Sequence, residues 1–500
     1  AAKTEAETTA AAQTEAGGEK NLVMPSASCV ANLNPLLEGY KEAAMLNPIY
    51  DPLYVIDVNE TRYYLADSYE VSEDGMQITV KLKEGLKWHD GEAITADDMI
   101  FTMDVCSDTN NGAGGTNIVI LNDQPVKYEK VDDLTVKVTL PMASASYADL
   151  LGGLTLIPEH VFEGNPSVVS AGEANMKGIG SGPYKVTEFK QDEYLLLEKY
   201  EDYYMGAPSI DKVTFRIISD LSAQEVALMN GEVNFMELAN APAVAKYEAD
   251  PNFTVVKYPE GRVNYLAVNK FCETVQDPKV VEAVFAALNR DEIIAGAYGD
   301  GMAESANSIF SNVNTFYDPS VEGYTQDVEK AKQLVKETGL DSKTLTLYFN
   351  SERVYMKESA QIIQQQLKNV GINLEVIPLE SAGFFEKVFG TDGDYEFYLN
   401  GYGAVGDPDQ VVAGMYDGTW GVNLAVSDEV SQLWKDARTV YTPEERAAIY
   451  KQIQIQTRDE LTCYPIAYPN YVFVTTSNIK GADTIKRTPV FEDYTKLTME

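Results

Sequence analysis

The chain has 500 residues, of which 45% are hydrophobic, and a formal net charge of −38 at pH 7. This length exceeds what one hydrophobic core organises, so we expect at least two domains. The acidic excess argues against nucleic acid or an anionic membrane surface as partners and favours a monomer, and no run approaches the roughly 18 apolar residues of a membrane span.

The first twenty residues, AAKTEAETTAAAQTEAGGEK, contain no aromatic or branched aliphatic side chain. Such a segment cannot pack into a core, and it lacks the basic start and apolar run of a signal peptide. We predict a disordered spacer at 1–20, either left after an upstream segment was removed or simply an unstructured end. The folded sequence is expected to begin near Asn21.

Residues 61–140 show the alternation of short β-strands. The runs MQITVKLKEG (76–85) and DLTVKVTLP (133–141) each place apolar residues on one face. Between them, Thr95 and Asp98 have the spacing of a capping box at the start of a helix. This part of the chain is therefore predicted to be a strand-rich unit, and further strands are expected within 181–200 and in KVTFRIISD (212–220).

From about residue 266 the pattern becomes α/β. Asp277 and Pro278 are typical of the cap and first position of a helix. The segment 344–379 reads as a strand, a helix and a returning strand. A further strand at 395–400 leads into NGYGAVGDPDQ (400–410). Because parallel units bind ligands beyond the carboxyl ends of their strands, this loop is a candidate site.

Two extended runs join the strand-rich and α/β parts, VNYLAVN (263–269) and YPIAYPNYVFVTT (464–476). No Gly/Ser-rich linker or internal repeat divides the chain. Two strand-like connections between two lobes indicate a hinge.

Histidine and cysteine are scarce and scattered, with no CxxC pair. They are His89, His160, Cys29, Cys106, Cys272 and Cys463. This scarcity argues against a structural zinc site and against a histidine-dependent nucleophile. We expect no metal, no cofactor and no enzyme activity. The sequence leaves open whether two of the four cysteines form a disulfide bridge.

The run LADSYEVSEDGMQITVKLKEGLKWHDGEAITADDMIFTMD (65–104) resembles the signature region of the family 5 extracellular solute-binding proteins, the peptide- and nickel-type receptors of ABC importers. Other matching motifs follow in the family's order over roughly 21–500. They are GSGPYKV, DYYMGAPSIDKVTFRII, GEVNF, VNYLAVN with DPKVVEAVFAALNRDEII, ANSIF, AQIIQQQLKNVGINLEVIPLES and the GYG…DPD loop.

The resemblance implies an α/β, two-lobe, periplasmic-binding-protein-like fold (class II, Venus-flytrap) with an extra strand-rich subdomain. Lobe I would comprise 21–48, 167–265 and 470–500. The subdomain (49–166) would pack on lobe I, and lobe II would be 266–469. The spacer would follow a lipid-bearing cysteine that is absent from this chain, which would be its only link to a membrane.

The implied function is that of an extracytoplasmic receptor, either a cell-surface lipoprotein or periplasmic. It would close its lobes on an oligopeptide-like solute and deliver that solute to ABC permease subunits. An oligosaccharide or an N-blocked or modified peptide is the alternative ligand, and the scarcity of histidine argues mildly against a nickel complex. A surface sensor or adhesin is a remote alternative.

Receptors of this kind hold ligands with aromatic walls and a few polar groups. On the hinge strands, the candidate contacts are Asn264, Tyr265 and Tyr468. Tyr40 follows the NPLLEG loop, and Trp420 and Asn423 lie in YDGTWGVN. The competing interpretation is that the aromatic side chains only pack the hinge or a core.

Peptide receptors of the family commonly show Gly-Trp-x-Ala-Asp at the opening of the candidate loop, where the aspartate pairs with the ligand's amino terminus. This chain reads GYGAV at 401–405. The loop's candidate contacts are Asn400, Tyr402, Gly403, Val405 and Asp407. An unpaired buried ammonium is costly, so Val405 puts recognition of a free amine in doubt unless Asp407 substitutes for the aspartate.

Two other interpretations of Asp407 stay open. Asp407-Pro408-Asp409 is typical of a capped turn that begins a helix. A glycosidase-like hydrolase could use the two carboxylates. However, a spacing of one intervening proline argues against the roughly 5–9 Å separation that this chemistry needs.

Overall fold

The structure is a computed structural model that describes residues 19–38, 45–56, 60–403, 406–416, 424, 426–484 and 493–500. The predicted spacer falls almost entirely outside these residues. The described chain enters its first strand at Asn21, where the sequence predicts the folded part to begin.

Strands and α-helices are numbered here in chain order. The described strands are β1 Asn21–Ser26, β2 Tyr54–Ile56, β3 Thr61–Tyr63, β4 Ala66–Val71, β5 Gln77–Leu82, β6 Ile120–Leu121, β7 Gln124–Pro125, β8 Lys127–Asp132, β9 Thr135–Thr139, β10 Tyr184–Lys190, β11 Tyr194–Lys199, β12 Lys212–Ile217, β13 Phe235–Glu237, β14 Phe253–Pro259, β15 Arg262–Val268, β16 Ala303–Ser305, β17 Thr344–Asn350, β18 Asn373–Leu379, β19 Phe397–Gly403, β20 Cys463–Thr476, β21 Ile479–Lys480 and β22 Thr498–Met499.

The described α-helices are α1 Ala96–Ser107, α2 Thr116–Val119, α3 Tyr147–Gly152, α4 Gly172–Asn175, α5 Leu221–Met229, α6 Ala241–Glu248, α7 Pro278–Ala287, α8 Arg290–Ala297, α9 Val328–Thr338, α10 Val354–Asn369, α11 Ser381–Val388, α12 Pro408–Val411, α13 Ala413–Tyr416, α14 Asp428–Ala437 and α15 Pro443–Asp459. None of these helices has the length and apolar character needed to cross a membrane.

The strands β4, β5, β9 and β8 form an antiparallel sheet in that order. The alternating residues of β5 and β9 are buried as predicted, and α1 begins with the predicted capping box. In that box Thr95 accepts a hydrogen bond from the Asp97 N–H, and the Asp98 carboxylate accepts one from the Thr95 N–H. These elements share one hydrophobic core with α3, and we call the unit the strand-rich subdomain.

A second sheet has the order β1-β12-β11-β10, with β1 parallel to β12 and the other pairs antiparallel. Its core draws side chains from 22–50, 184–256 and 473–499. The unit is therefore assembled from distant parts of the chain, and we call it the first lobe.

The second lobe is built on β15, β19, β17 and β18, where β17 runs parallel to both β18 and β19. The helix α10 connects β17 to β18, as predicted. At the start of α7, Asp277 accepts a hydrogen bond from the Lys279 N–H, and Pro278 occupies the first helical position. Alternate residues of β15 belong to the two cores that lie on the two faces of this sheet.

The long strand β20 joins the two lobes. Its residues 463–467 pair with β15 of the second lobe, and its residues 470–476 pair with β14 of the first. The chain thus crosses between lobes once at Glu260–Gly261 and once at Tyr468–Pro469, and the Glu260 N–H donates to the Pro469 carbonyl oxygen at 2.9 Å. The two predicted extended connections are confirmed as adjacent strands. The domain boundaries themselves stay a prediction.

Candidate ligand-binding site

A cavity of about 200 Å³ lies in the second lobe, at the carboxyl ends of the parallel strands β17 and β19. This is the edge at which parallel sheets bind ligands. Its walls combine two arginines, two amides and a large apolar surface. The lining residues are Arg262, Asn350, Arg353, Met356, Phe384, Phe385, Phe389, Asn400, Gly401, Tyr402 and Met415.

The helix α11 and its C-terminal cap residue Phe389 supply an aromatic wall. The rings of Phe385 and Phe389 stack with centroids 5.6 Å apart and an interplanar angle of 10°, while Phe384 is fully buried behind them. The helical spacing of four residues places the two stacked rings on one face. They remain 39% and 47% exposed. Adjacent exposed aromatic side chains in a concave site indicate contact with an apolar ligand group.

Arg262, the first residue of β15, is held in place by two contacts. Its Nε donates to Asn264 Oδ1 at 3.0 Å, and its Nη2 donates to the Gly401 carbonyl oxygen at 2.5 Å. A Cβ on Gly401 would lie 2.1 Å from Asn264 Oδ1, so the arrangement requires glycine there. A guanidinium has five N–H donors, so three remain for a ligand once these two contacts with described residues are counted.

Arg353 follows β17 and immediately precedes α10, and its side chain is exposed at the cavity wall. Across the described ranges, no hydrogen bond or ion pair involves its guanidinium. A free cation beside an aromatic wall is suited to an anionic ligand group that arrives together with an apolar one.

The hinge adds a carboxyl group to this region. Glu260 is half-buried at the first strand crossing, two residues before Arg262. Burial raises the pKa of its carboxyl, the charge of Arg262 opposes the rise, Glu237 adds to it and Arg353 opposes it. The carboxyl therefore lies within the electrostatic reach of both cavity arginines.

Two predicted contacts, Asn400 and Tyr402, line the cavity. Tyr402 also donates to the Ile309 carbonyl oxygen at 2.7 Å, so its hydroxyl is anchored in the core. Asn264 lies behind Arg262 and donates to the Tyr298 hydroxyl oxygen at 2.8 Å. Gly403 is exposed at the end of β19 and does not line the cavity.

The two hinge tyrosines are packed rather than presented to the cavity. Tyr265 is buried against the Tyr402 ring, with centroids 5.1 Å apart. Tyr468 donates to Asn307 Oδ1 at 3.0 Å and accepts from the Ser308 N–H at 3.1 Å. This geometry agrees with the competing interpretation, in which Tyr265 and Tyr468 pack the hinge. The remaining candidates, Tyr40, Val405, Trp420 and Asn423, lie outside the described residues.

The Asp407 carboxylate is engaged inside the second lobe. It caps α12 by accepting from the Asp409 N–H, and it forms a bidentate pair with Arg446, at 2.5 Å to Nη1 and 3.0 Å to Nη2. Tyr450 donates to the same carboxylate at 3.3 Å. This is the capped turn, reinforced by a buried ion pair. Contact with a ligand ammonium would require that pair to break.

Asp409 is likewise paired, with Arg438 Nε 2.6 Å from its Oδ1. Neither Asp407 nor Asp409 lines the cavity, so the carboxylate pair of the hydrolase alternative does not converge on it. All four cysteines are free thiols. Within the described ranges, no group of three or more histidine, cysteine, aspartate or glutamate side chains is placed to hold a metal ion.

Sequence reasoning missed Arg262, Asn350, Arg353 and the phenylalanines of α11. Parallel sheets bind ligands at the carboxyl ends of their strands, which made the 400–410 loop a candidate site. The same holds for β17, whose carboxyl end carries Asn350 and Arg353. The aromatic run FFEKVF after the return strand was a second available signal.

The family model for bacterial extracellular solute-binding proteins, family 5 Middle, matches residues 60–423. The dipeptide-binding protein of Escherichia coli (strain K12) is 27% identical over 499 residues, which cover 92% of each chain. The oligopeptide-binding protein AppA of Bacillus subtilis (strain 168) is 29% identical over 447 residues, covering 83% of this chain and 80% of the relative.

Solved structures are similar over nearly the whole chain. The ABC transporter substrate-binding protein CtaP from Listeria monocytogenes superposes with a TM-score of 0.89 at 33% identity, covering 96% of this chain and 99% of that one. A putative peptide-binding protein AppA from Clostridium difficile gives 0.88 at 34% identity, covering 96% and 100%. The predicted two-lobe, periplasmic-binding-protein-like fold is thereby confirmed, and the chain belongs to the family 5 bacterial extracellular solute-binding proteins.

Proposed function

We propose that this protein is the substrate-binding receptor of an ABC importer and that it captures an oligopeptide-like solute between its lobes. The observation that carries the proposal is the composition of the cavity. Two arginines, two amides and a stacked phenylalanine wall meet beside the hinge strands, and they match a peptide's carboxylate, main chain and apolar side chain. The names of the similar proteins, which bind dipeptides and oligopeptides, support this choice.

In this proposal Arg353 binds the ligand carboxylate, because its guanidinium is exposed and unpaired within the described part of the chain. Asn350 and Asn400 hydrogen-bond to the peptide main chain, and Phe385 and Phe389 contact an apolar side chain. Tyr40, Trp420 and Asn423 remain proposed contacts on the strength of the family resemblance.

Two carboxyl groups bear on how the amino terminus of the ligand is bound. The engagement of Asp407 with Arg446 favours an N-blocked or modified peptide as the second candidate ligand. A free amine would instead pair with the half-buried Glu260 carboxyl, in competition with the charges of Arg262 and Arg353.

The partners proposed from the family are ABC permease subunits, and the protein would act as a monomer without catalysis. Its place would be outside the cytoplasm, at the outer face of the cytoplasmic membrane or in the periplasm. A lipid anchor upstream of the spacer would hold it there in the lipoprotein case.

The test is calorimetric titration with unblocked tri- to pentapeptides, the same peptides as C-terminal amides, N-acetylated forms, and oligosaccharides. We expect unblocked and N-acetylated acids to bind at least about tenfold more tightly than amides, because a charged hydrogen bond to an arginine contributes about 1.5–3 kcal/mol. Arg353→Gln should abolish this preference.

Arg216→Gln is the matched control, because Arg216 pairs with Glu232 in the first lobe, away from the cavity. It should leave the preference for the acid unchanged. Binding of oligosaccharides alone, or equal binding of acids and amides by the unmodified protein, would overturn the proposed carboxylate site.

A further inference from the structure

The chain that leaves the cavity makes a second set of contacts, with the strand-rich subdomain. After Tyr402 in β19, it reaches Asp407, whose N–H donates to Asp149 Oδ2 at 2.9 Å. Ser146 Oγ donates to Asp409 Oδ2 at 2.8 Å and accepts from Gln410 Nε2 at 2.6 Å. Asp149 lies on α3, and Ser146 is the N-cap residue of that helix. One short helix of the subdomain therefore makes all of these contacts with the turn at 407–410.

A neighbouring part of the second lobe extends this interface. The Ala145 N–H donates to the Arg438 carbonyl oxygen at 2.9 Å, and the Arg438 side chain holds Asp409. Tyr441 donates to the Gly75 carbonyl oxygen at 3.3 Å. Gly75 has a φ of +66°, and a Cβ there would lie 1.9 Å from the Tyr441 ring, so the tyrosine rests directly on glycine backbone.

The turn at 407–410 is held rigidly within the second lobe, whereas the contacts that it makes across the interface are weak. Arg446 and Asp407 are buried and doubly hydrogen-bonded, which fixes the turn. Across the interface, by contrast, the contacts are single hydrogen bonds with neutral donors, each contributing about 0.5–3 kcal/mol. Small polar interfaces between units of one chain are compatible with relative motion.

We propose that these contacts form a latch, defined by Gly75, Ser146 and Asp149 of the subdomain and by Asp407, Asp409, Gln410 and Tyr441 of the second lobe. The latch is made when the lobes close and released when they open. Because the cavity residues Asn400 to Tyr402 lie near the end of β19 and the latch turn at Asp407 follows shortly afterwards in the chain, ligand binding and latching are coupled. The inference rests on the proposed function for its ligand.

The latch acts on affinity without touching the ligand. When the binding-competent closed form is only a fraction of the population, the apparent Kd rises in inverse proportion to that fraction. Weakening the latch should therefore raise the apparent Kd and make the protein less compact, while the cavity stays unchanged.

The principal variant is Gly75→Ala, which displaces Tyr441. Its matched control is Gly85→Ala, because Gly85 also has a positive φ (+76°) in the same subdomain but has open space where a Cβ would be. Both variants carry a similar backbone strain of about 1–2 kcal/mol. Only the first disturbs the latch. Ser146→Ala is a second latch variant with no backbone strain.

The measurements are the Kd for a pool of unblocked tetrapeptides and the radius of gyration from small-angle X-ray scattering, with and without peptide. We expect Gly75→Ala and Ser146→Ala to raise the Kd about fivefold to tenfold or to expand the ligand-free protein, and Gly85→Ala to do neither. Unchanged values of both quantities in both latch variants would overturn the latch. If the unmodified protein binds no peptide, the proposed function fails, and the ligand-free scattering still decides on the latch.

Discussion

Asp407 lies in a buried ion pair with Arg446, whereas the local sequence suggested a contact with the ligand. Its position in the loop suggested a partner for a ligand ammonium. In the structure its two oxygens are taken by Arg446, and the two residues are 8% and 5% exposed. The sequence did not reveal this because Arg446 lies 39 positions further on, in α15, where nothing local marks it as a partner.

The Asp407–Arg446 ion pair predicts how Asp407→Asn changes stability. The substitution leaves a buried guanidinium without its counter-charge, so we expect the free energy of unfolding to fall by about 3–5 kcal/mol. Urea denaturation measures this loss, and Arg446→Met added to Asp407→Asn should recover part of it. Normal stability combined with a selective loss of free-amine peptide binding would instead assign Asp407 to the ligand.

At the scale of elements, the sequence predicted best what short-range chemistry determines. The caps at Thr95 and Asp277, the alternation of β5 and β9 and the unit β17–α10–β18 are all confirmed. The cavity was predicted only through the edge at which β19 ends. The helix α11, which supplies its aromatic wall, was not predicted, because a single short helix with clustered phenylalanines reads equally well as core.

The cap of α7 provides an element-scale prediction. Asp277→Ala removes the acceptor for the Lys279 N–H and leaves that donor exposed at the helix start. We expect the free energy of unfolding to fall by about 1 kcal/mol, which thermal and urea denaturation can measure.

The Asp277→Asn control should keep most of the stability, because asparagine caps equally well. Both variants should bind peptides with the Kd of the unmodified protein, since α7 does not line the cavity. A changed Kd in Asp277→Ala at full stability would show that the helix start acts on the site.

At the scale of the whole molecule, the two strand-like connections were recognisable from the sequence, but their partners were not. β20 pairs with both lobes, and the latch joins residues separated by 258 to 366 positions along the chain. No local periodicity encodes such contacts. They arise only once the subdomain has been placed against the second lobe. Because the latch residue Asp149 is titratable, they also make closure of the lobes sensitive to pH.

Asp149 makes closure pH-dependent. Burial raises the pKa of its carboxyl from an ordinary 3.8 to about 6; the Asp407 N–H and the charge of Arg446 oppose the rise, and the Asp407 carboxylate adds to it. From its own subdomain, Tyr54 and Tyr69 face it, and burial raises the pKa of both phenols, so they stay neutral between pH 5 and 8. In the released form the carboxyl is expected to regain its ordinary value. The latched form then binds more protons between the two values, and acidification favours it.

We therefore expect the peptide Kd of the unmodified protein to fall by about tenfold between pH 7.5 and 5.0, relative to Asp149→Asn, because pH 5.0 lies about one unit below the latched pKa of about 6 and each unit below it favours the protonated, latched form about tenfold. Asparagine keeps an acceptor for the Asp407 N–H but does not titrate. Titration of Glu260 is common to both proteins and cancels in the ratio of their Kd values. Calorimetry across this pH range measures that ratio, and a ratio that stays constant with pH would show that Asp149 is not buried by closure.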